Sequence, residues 1–385
     1  MLTLQEIERL KSEEVRKAIE DNIERDPAAV ALDSRIPEAR LVATDVKYLQ
    51  RARHKLPRLY QARCIIPPRA FEQSSSEECA RRKDISGCRL LDLTCGLGID
   101  TIAFAEHFAS VVTLERDEAL AEVVRYNLTL LGIDNVEVVT TAAEEYVMDT
   151  DERFDWVFAD PDRRSDKGNK MVCLEDCSPN IATLLPHLQR ISRRIGLKLS
   201  PLFDVDEAFR LFRSAEVEVV SLGGECKEVN IYTGSEHERL TIAAIGLGTW
   251  HFCREDMHAT ATAEPFTPEE YRYLLIPDVA LQKGRVAIAA LKPYADIWSN
   301  NGYAFARELP PEHVGARIYA IESIKRYHPR ELKRRYKGVG IEILKRDTPL
   351  GIEVVRKALG ARPGRERTIA LTNIAGESWF IELKS

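Results

Sequence analysis

The run Cys88-Arg89-Leu90-Leu91-Asp92-Leu93-Thr94-Cys95-Gly96-Leu97-Gly98-Ile99-Asp100 holds the residue types that a nucleotide-like ligand requires. An apolar strand ends in the carboxylate of Asp92 and a Gly-x-Gly turn follows. Asp100 is expected to cap the next helix, so backbone N–H groups and an acid converge at one strand end. A second apolar run, Val111-Val112-Thr113-Leu114, ends at Glu115, 17 residues beyond Gly98. That is where a doubly wound sheet places the acid that grips a ribose diol. A third apolar run, Trp156-Val157-Phe158-Ala159, leads straight into Asp160-Pro161-Asp162-Arg163-Arg164. In this run Asp160 can accept a hydrogen bond from an amine, and Asp162 can serve as a base or pair with an arginine. The guanidinium groups of Arg163 and Arg164 can meet phosphate bidentately.

The elements that must position these residues are legible in the apolar spacing. Leu120, Val123, Val124, Leu128 and Leu131 predict a helix over 118–131, stopped by Gly132 in a left-handed cap. Strand three follows over 136–139 and strand four over 156–159, then a helix over 181–191, a strand near 197–201 and a helix over 205–212. Strands near 217–222 and 240–245 complete a Rossmann-like α/β sheet of seven strands, with the last hairpin antiparallel and Gly223 to Glu228 as the connection. Residues 1–70 read as a helical region, with Leu10, Val15, Ile19 and Ile23 on one amphipathic stretch and a basic stretch over 47–56. Ile65-Ile66-Pro67-Pro68 marks a boundary before the sheet. A nicotinamide site is expected to carry Gly-x-Gly-x-x-Gly, and here Thr101 stands where the third glycine belongs.

Over roughly residues 71 to 250 the chain resembles the class I S-adenosylmethionine-dependent methyltransferases. Asp92 to Gly98, Glu115 and Asp160-Pro161 carry the resemblance, in that order and spacing. It implies S-adenosyl-L-methionine as cofactor. Asp92 is then expected to meet the methionine amino group, Thr94, Gly96 and Gly98 to form the close backbone approach, and Glu115 to hold the ribose hydroxyls. In many such enzymes the segment before strand one covers the cofactor carboxylate, a role open to Ser74, Ser75 and Ser76 beside that of capping a helix. The sequence departs from the family twice. Ala142 occupies the position of the adenine-contacting acid, leaving Thr141 or Glu144 as substitutes. The strand-four run also lacks the aromatic residue with which base-amino methyltransferases stack their acceptor, so the catalytic candidates are Asp160, Pro161, Asp162 and Arg163. A thiol attack on a pyrimidine carbon by Cys173, Cys177 or Cys226 is a further alternative.

Whole-chain averages conceal an asymmetry. The net charge is −6, but residues 271–385 hold 21 Lys and Arg against 12 Asp and Glu, a net +9 that leaves −15 on residues 1–270. An anionic partner handled at one end is expected. Residues 266–385 form a small α+β region that resembles the THUMP-like domain found behind bacterial methyltransferase domains. Tyr273 to Asp278, Lys333-Arg334-Arg335, Gly340 to Arg346, Thr368 to Thr372 and Trp379 to Leu383 carry this second resemblance. True THUMP domains bind structured RNA, so it implies RNA as partner. Arg326, Arg330, Lys333, Arg334 and Arg335 are the candidate phosphate contacts, with Tyr327 and Tyr336 interleaved for stacking.

Eight cysteines without C-x-x-C spacing predict neither a zinc site nor a disulfide framework. No apolar run approaches the roughly 20 residues of a membrane span. The charged start of the chain lacks the apolar stretch of a signal peptide, and a cytoplasmic protein is expected. Taken together the expectation is a methyltransferase acting on an RNA base. The alternatives are an RNA-binding protein on a catalytically degenerate methyltransferase scaffold, or a methyltransferase with a protein or small-molecule acceptor.

Overall fold

Leu90, Leu91, Val111, Val112, Val157 and Phe158 are all between 0 and 4% exposed, which is why these short runs form strands covered on both faces. The structure is a computed structural model and describes residues 2–163, 174, 177–212, 214–235 and 237–384, with the side chain of Arg163 outside that set. The chain divides into two compact units, residues 1–215 with 229–237, and residues 216–228 with 238–385.

In the first unit seven helices precede the sheet: α1 (Leu4–Lys11), α2 (Glu13–Asp21), α3 (Pro27–Leu32), α4 (Ala39–Lys55), α5 (Pro57–Gln61), α6 (Pro68–Gln73) and α7 (Glu77–Arg81). The chain then alternates through β1 (Gly87–Asp92), α8 (Ile99–Phe104), β2 (Phe108–Glu115), α9 (Glu118–Leu131), β3 (Val136–Thr140), α10 (Ala143–Asp149) and β4 (Trp156–Ala159). A short ribbon of β5 (Asp162–Arg163) and β6 (Cys177–Ser178) comes next, followed by α11 (Ile181–Ile191), β7 (Ile195–Leu199) and α12 (Val205–Leu211). The strands β3, β2, β1, β4 and β7 lie side by side in that order, all parallel. Connections run outward from β1 to β3 and then return to β4 on the other side of β1. The crevice between β1 and β4 is therefore the topological switch point, where open α/β sheets bind ligands at the carboxyl ends of their strands.

Residues 1–70 do not stand apart from this sheet. Ile7, Leu10, Val42, Leu49 and Ile65 share one core with Val123, Val124 and Leu128 of α9. Of the Ile65–Pro68 segment, expected as a boundary, Ile65 and Ile66 lie inside that core, and Asn127 holds Ile65 by both main-chain groups: Ile65 N donates to Asn127 Oδ1 at 2.9 Å, and Asn127 Nδ2 donates to the Ile65 carbonyl at 2.9 Å. A salt bridge from Lys11 to Glu122 joins α1 to α9 as well.

The end of the sheet differs from expectation. β8 (Glu216–Leu222) turns through Gly223 and Gly224, at φ +62° and +81°, directly into β9 (Glu225–Tyr232). Two consecutive left-handed residues are what a two-residue hairpin needs. The antiparallel strand is β9, whose Val229–Tyr232 half pairs with β7. The strand Arg239–Ile245, expected as the antiparallel one, runs parallel to β8 and pairs antiparallel with Gly248–Phe252. The first half of β9, Glu225-Cys226-Lys227-Glu228, is polar enough to read as a loop.

The rest of the second unit is an eight-stranded sheet in the order Asp296–Ile297, Ala304–Ala306, Tyr273–Pro277, Ala316–Arg326, Glu377–Leu383, Arg367–Ile374, Gly340–Lys345 and Arg362–Pro363. The helices Pro329–Tyr336 and Ile352–Leu359 bury Leu332, Tyr336, Val355 and Leu359 against Ile341, Ile369, Leu371 and Phe380. Among the described residues no helix is long and apolar enough to cross a membrane, and no cluster of side chains could hold a metal ion.

Replacing Asn127 by alanine strands both main-chain groups of Ile65 in an apolar core. The Asn127→Ala variant is expected to lose about 3 kcal/mol of stability in urea unfolding monitored by circular dichroism. A loss below about 1 kcal/mol would mean that the helical region does not depend on this bond.

Candidate active site

At the switch point of the first unit lies a cavity of about 1020 Å³. The β1–α8 turn, the ends of β2, β3 and β4 and the β6 residue Ser178 line it, together with residues of α4 and the Pro67–Ser75 segment. Asp92 is not on this wall. It is 1% exposed and sits behind the turn, where its Oδ2 accepts from the hydroxyls of Thr101 at 2.6 Å and Thr113 at 3.0 Å, and its Oδ1 accepts from Thr94 N at 3.0 Å. Burial pushes its carboxyl up to about 6 against these hydrogen bonds. The acid expected to meet an amino group instead holds the turn together. Thr101, read as the missing third glycine, is one of its anchors.

The turn itself presents backbone to the cavity. Gly96 has φ +55°, and a Cβ added there would meet nothing within 4 Å, so its open side faces free space. Gly98, at φ +80°, is the N-cap of α8, and a Cβ there would come within 3.2 Å of Val124 Cγ1. Asp100 was expected as the cap and instead stands in the first turn of the helix. Glu115 does line the cavity, with Oε2 accepting from Gly96 N at 3.0 Å and Oε1 from Asp117 N at 2.9 Å. Burial raises its carboxyl above the ordinary range, and these two N–H groups oppose the shift. A carboxylate has about four lone-pair sites, so Glu115 keeps acceptor capacity toward the cavity. Thr94, Thr141 and Glu144 also line the cavity, while Ala142 serves as the N-cap of α10.

On the β4 side a chain of alternating charges runs under the wall. Lys83 Nζ, with no exposed side-chain surface, lies 2.8 Å from Asp100 Oδ1. Lys198 Nζ lies 3.8 Å from Asp100 Oδ2 and forms a short ion pair with Asp160. Ser75 Oγ donates to Asp100 at 3.1 Å, and Asp160 N donates to Thr94 Oγ1 at 2.7 Å across the switch point. Burial would raise the Asp100 carboxyl, but the two ammonium groups win and hold it below its usual value. Asp160 is raised, by desolvation first, with Lys198 opposing. Sequence reasoning missed Lys83 and Lys198. A lysine within the apolar strand Ile195-Gly196-Leu197-Lys198-Leu199 was the available signal.

Asp160 and Asp162 both line the cavity, and Asp162 is held in register with Ser178 by the β5–β6 ribbon. Pro161 is not on the wall. The Arg163 side chain, Arg164 and Cys173 lie outside the described residues. Cys95 lines the cavity, but burial drives its thiol far above the ordinary range, and Cys177 is buried. The three serines divide their work: Ser76 accepts from Cys79 N at 3.2 Å as the cap of α7, while Ser74 and Ser75 line the cavity.

In the second unit the helix Pro329–Tyr336 separates the basic candidates. Arg335 pairs with buried Glu382 at 2.7 Å and with Glu322 at 3.3 Å, and Arg326 pairs with Glu377 at 2.9 Å. Arg335 is thereby tied to a buried acid, while the Arg326–Glu377 pair is exposed on both sides. Arg330, Lys333 and Arg334 are exposed and have no ion-pair partner among the described residues. Tyr336, expected to stack on a base, is 2% exposed and packs edge-on against Phe380 at 5.2 Å. Tyr327 packs at the margin of the same core.

Because the Asp92 carboxyl is raised in the fold, its contribution to stability is whole below the ordinary carboxylate value of 3.8 and is lost as pH climbs through about 6. Asp92→Asn removes that titration. Across this window the wild type is expected to lose about 3 kcal/mol relative to the variant, read as the difference between their pH profiles in denaturant unfolding. Parallel profiles would show that Asp92 titrates normally.

Residues 73–175 match the family described as conserved hypothetical protein 95, and residues 316–384 match the THUMP domain-like family. A Mycobacterium tuberculosis protein described as an uncharacterised S-adenosylmethionine-dependent methyltransferase is 23% identical over 335 residues, covering 84% of this chain and 88% of its own. A tRNA/tmRNA (uracil-C(5))-methyltransferase of Actinobacillus pleuropneumoniae is 29% identical over 138 residues, 30% of this chain and 37% of that protein. The crystal structure of a proposed methyltransferase from Porphyromonas gingivalis superposes over 100% of this chain and 99% of its own, with a TM-score of 0.82 at 23% identity, and so shares the fold. The chain therefore has the fold of that crystal structure, carries a conserved hypothetical protein 95 segment and a THUMP domain-like segment, and is similar over most of its length to a protein described as an S-adenosylmethionine-dependent methyltransferase.

Proposed function

We propose that this chain is an S-adenosylmethionine-dependent methyltransferase that modifies a base in RNA. The observation that carries the reading is the convergence of Gly96, Glu115 and Asp160 on one cavity of about 1020 Å³. That volume is at the upper end for small-molecule sites. The wall fits S-adenosylmethionine. Open space beside Gly96 admits a close-lying ligand, Glu115 retains acceptor capacity that ribose hydroxyls could use, and Thr141 and Glu144 on the same wall would meet the adenine. When bound, the cofactor supplies an electrophilic methyl group.

The chain's own task is then to hold the acceptor atom in line, since proximity and orientation provide most of the acceleration in such a transfer. Asp160, with Lys198 fixing one oxygen, offers its carboxylate to an acceptor N–H and can take up the released proton. The only cysteine on the described wall, Cys95, is too strongly shifted toward the thiol for nucleophilic attack on a pyrimidine carbon. RNA is supported by Arg330, Lys333 and Arg334 on the THUMP-like segment, the net +9 of residues 271–385 and the partial likeness to tRNA-modifying enzymes. A second reading, a scaffold that binds RNA without turnover, draws on Ala142 and on the absent aromatic residue after Pro161.

The test is transfer of labelled methyl groups into RNA, protein and metabolite fractions from cells lacking the protein. Label is expected in RNA, with Asp160→Ala lowering kcat about 100-fold and Glu115→Ala raising the cofactor KM about tenfold. Label in protein or metabolites would overturn the RNA acceptor, and cofactor binding without any transfer would favour the inactive scaffold. The triple variant Arg330→Gln, Lys333→Gln, Arg334→Gln is expected to weaken RNA binding and flatten its salt dependence by about two units of slope, with cofactor affinity unchanged.

A further inference from the structure

The basic stretch of the N-terminal helices has no place in the site as described so far. Residues 39–69 hold eight Lys and Arg against the single acid Asp45, inside a part of the chain that carries −15 overall. Most of these charges are spent on the fold. Arg51 pairs with Glu72, Arg53 with Glu24, Arg58 with Glu106 and Arg63 with Glu20, while Lys55 Nζ donates to the Phe71 carbonyl at 2.7 Å. Three remain. Arg40, Lys47 and Arg69 are exposed and have no ion-pair partner among the described residues.

Their placement is not scattered. Arg40, Thr44, Lys47 and Arg51 occupy positions i, i+4, i+7 and i+11 of α4, a single stripe along one helix face. Arg40 and Thr44 line the cavity, so the stripe begins at its rim and runs outward, with Lys47 about 10 Å further along the axis. Arg69 joins the same rim from α6. The Arg51–Glu72 pair and the Lys55 bond tie α6 to α4, and α4 belongs to the core shared with α9, so this edge is held rigidly to the cavity. Three acids that line the cavity are already engaged: Glu6 accepts from Thr3, Glu38 lies 3.8 Å from Arg9, and Asp117 caps α9.

We propose that Arg40, Lys47 and Arg69 form a phosphate track that leads a single-stranded segment of the acceptor RNA to the cavity rim. This rests on the RNA reading above and adds to it a second contact surface, on the N-terminal helices and independent of the THUMP-like segment. Guanidinium forks match phosphate oxygens, and a strand running into a base-sized cavity must bring its phosphates past the rim.

The test uses the full chain and a single-stranded RNA oligonucleotide. Affinity is measured from low to moderate salt for wild type and for Arg40→Gln, Lys47→Gln, Arg69→Gln, with cofactor affinity and thermal unfolding measured alongside. Each phosphate contact on a single strand contributes about 0.7 to the slope of log K against log salt, so losing three should flatten it by about two units. Cofactor affinity and unfolding temperature are expected to stay within error, and the lysine variants Arg40→Lys and Arg69→Lys should keep the slope. An unchanged slope overturns the track. A loss confined to cofactor affinity overturns it too, by assigning the arginines to the cofactor carboxylate. So does wild-type protein that binds cofactor but no RNA, or that binds acidic peptide in preference. If wild type binds RNA with the expected slope but transfers no methyl group, the track stands and the catalytic reading falls.

Discussion

The turn between β1 and α8 depends on one buried carboxylate. Asp92 gathers a backbone N–H and two threonine hydroxyls from three separate elements, and so fixes the backbone that opens Gly96 toward the cavity. The arrangement costs something, because burial opposes the charge and drives the carboxyl upward. It also explains why a threonine is compatible with this turn where a dinucleotide fold uses glycine. Thr101 Oγ1 is needed as a donor, and its side chain is fully buried to supply it.

From that anchor the order of the cavity spreads in two directions. Glu115 locks Gly96 from the β2 side, and Thr94 accepts from the Asp160 backbone on the β4 side, so the walls on both sides of the switch point are tied to the same turn. Beneath Asp160 the ladder of Lys83, Asp100 and Lys198 balances two ammonium groups against two carboxylates. A charged acid can then persist at a partly dry wall without an unpaired buried charge.

The helical region before the sheet belongs to the same construction. Asn127 satisfies both main-chain groups of Ile65, and α1 and α5 pack on α9 within a core that α2 to α4 share. Residues of α4 and α6 thereby become part of the cavity wall rather than an appended domain, and the backbone that carries the remaining cations on that edge is anchored to the core. In the second unit the same economy of charge works in reverse. Arg326 and Arg335 are held in ion pairs, which leaves Arg330, Lys333 and Arg334 to face solvent.

Local pattern alone carries most of the strand and helix alternation between residues 88 and 212, the glycine turn, and the acids at the ends of β2 and β4. These depend on local periodicity and on the chirality of parallel crossovers, which are written in neighbouring residues. The sequence also determines the basic character of the C-terminal part. Long-range packing settles that Asp92 faces inward, that Lys198 pairs with Asp160, that α4 and α6 line the cavity, and which arginines are held in ion pairs. Each of these depends on a partner distant in sequence, such as Thr113 for Asp92 or Glu382 for Arg335. A side chain's chemistry is fixed by its type, but its availability is fixed by what packs against it. The β9 strand shows the same limit from the other side: its polar first half carries no strand signal, and the Gly223-Gly224 hairpin together with pairing to β7 makes it one.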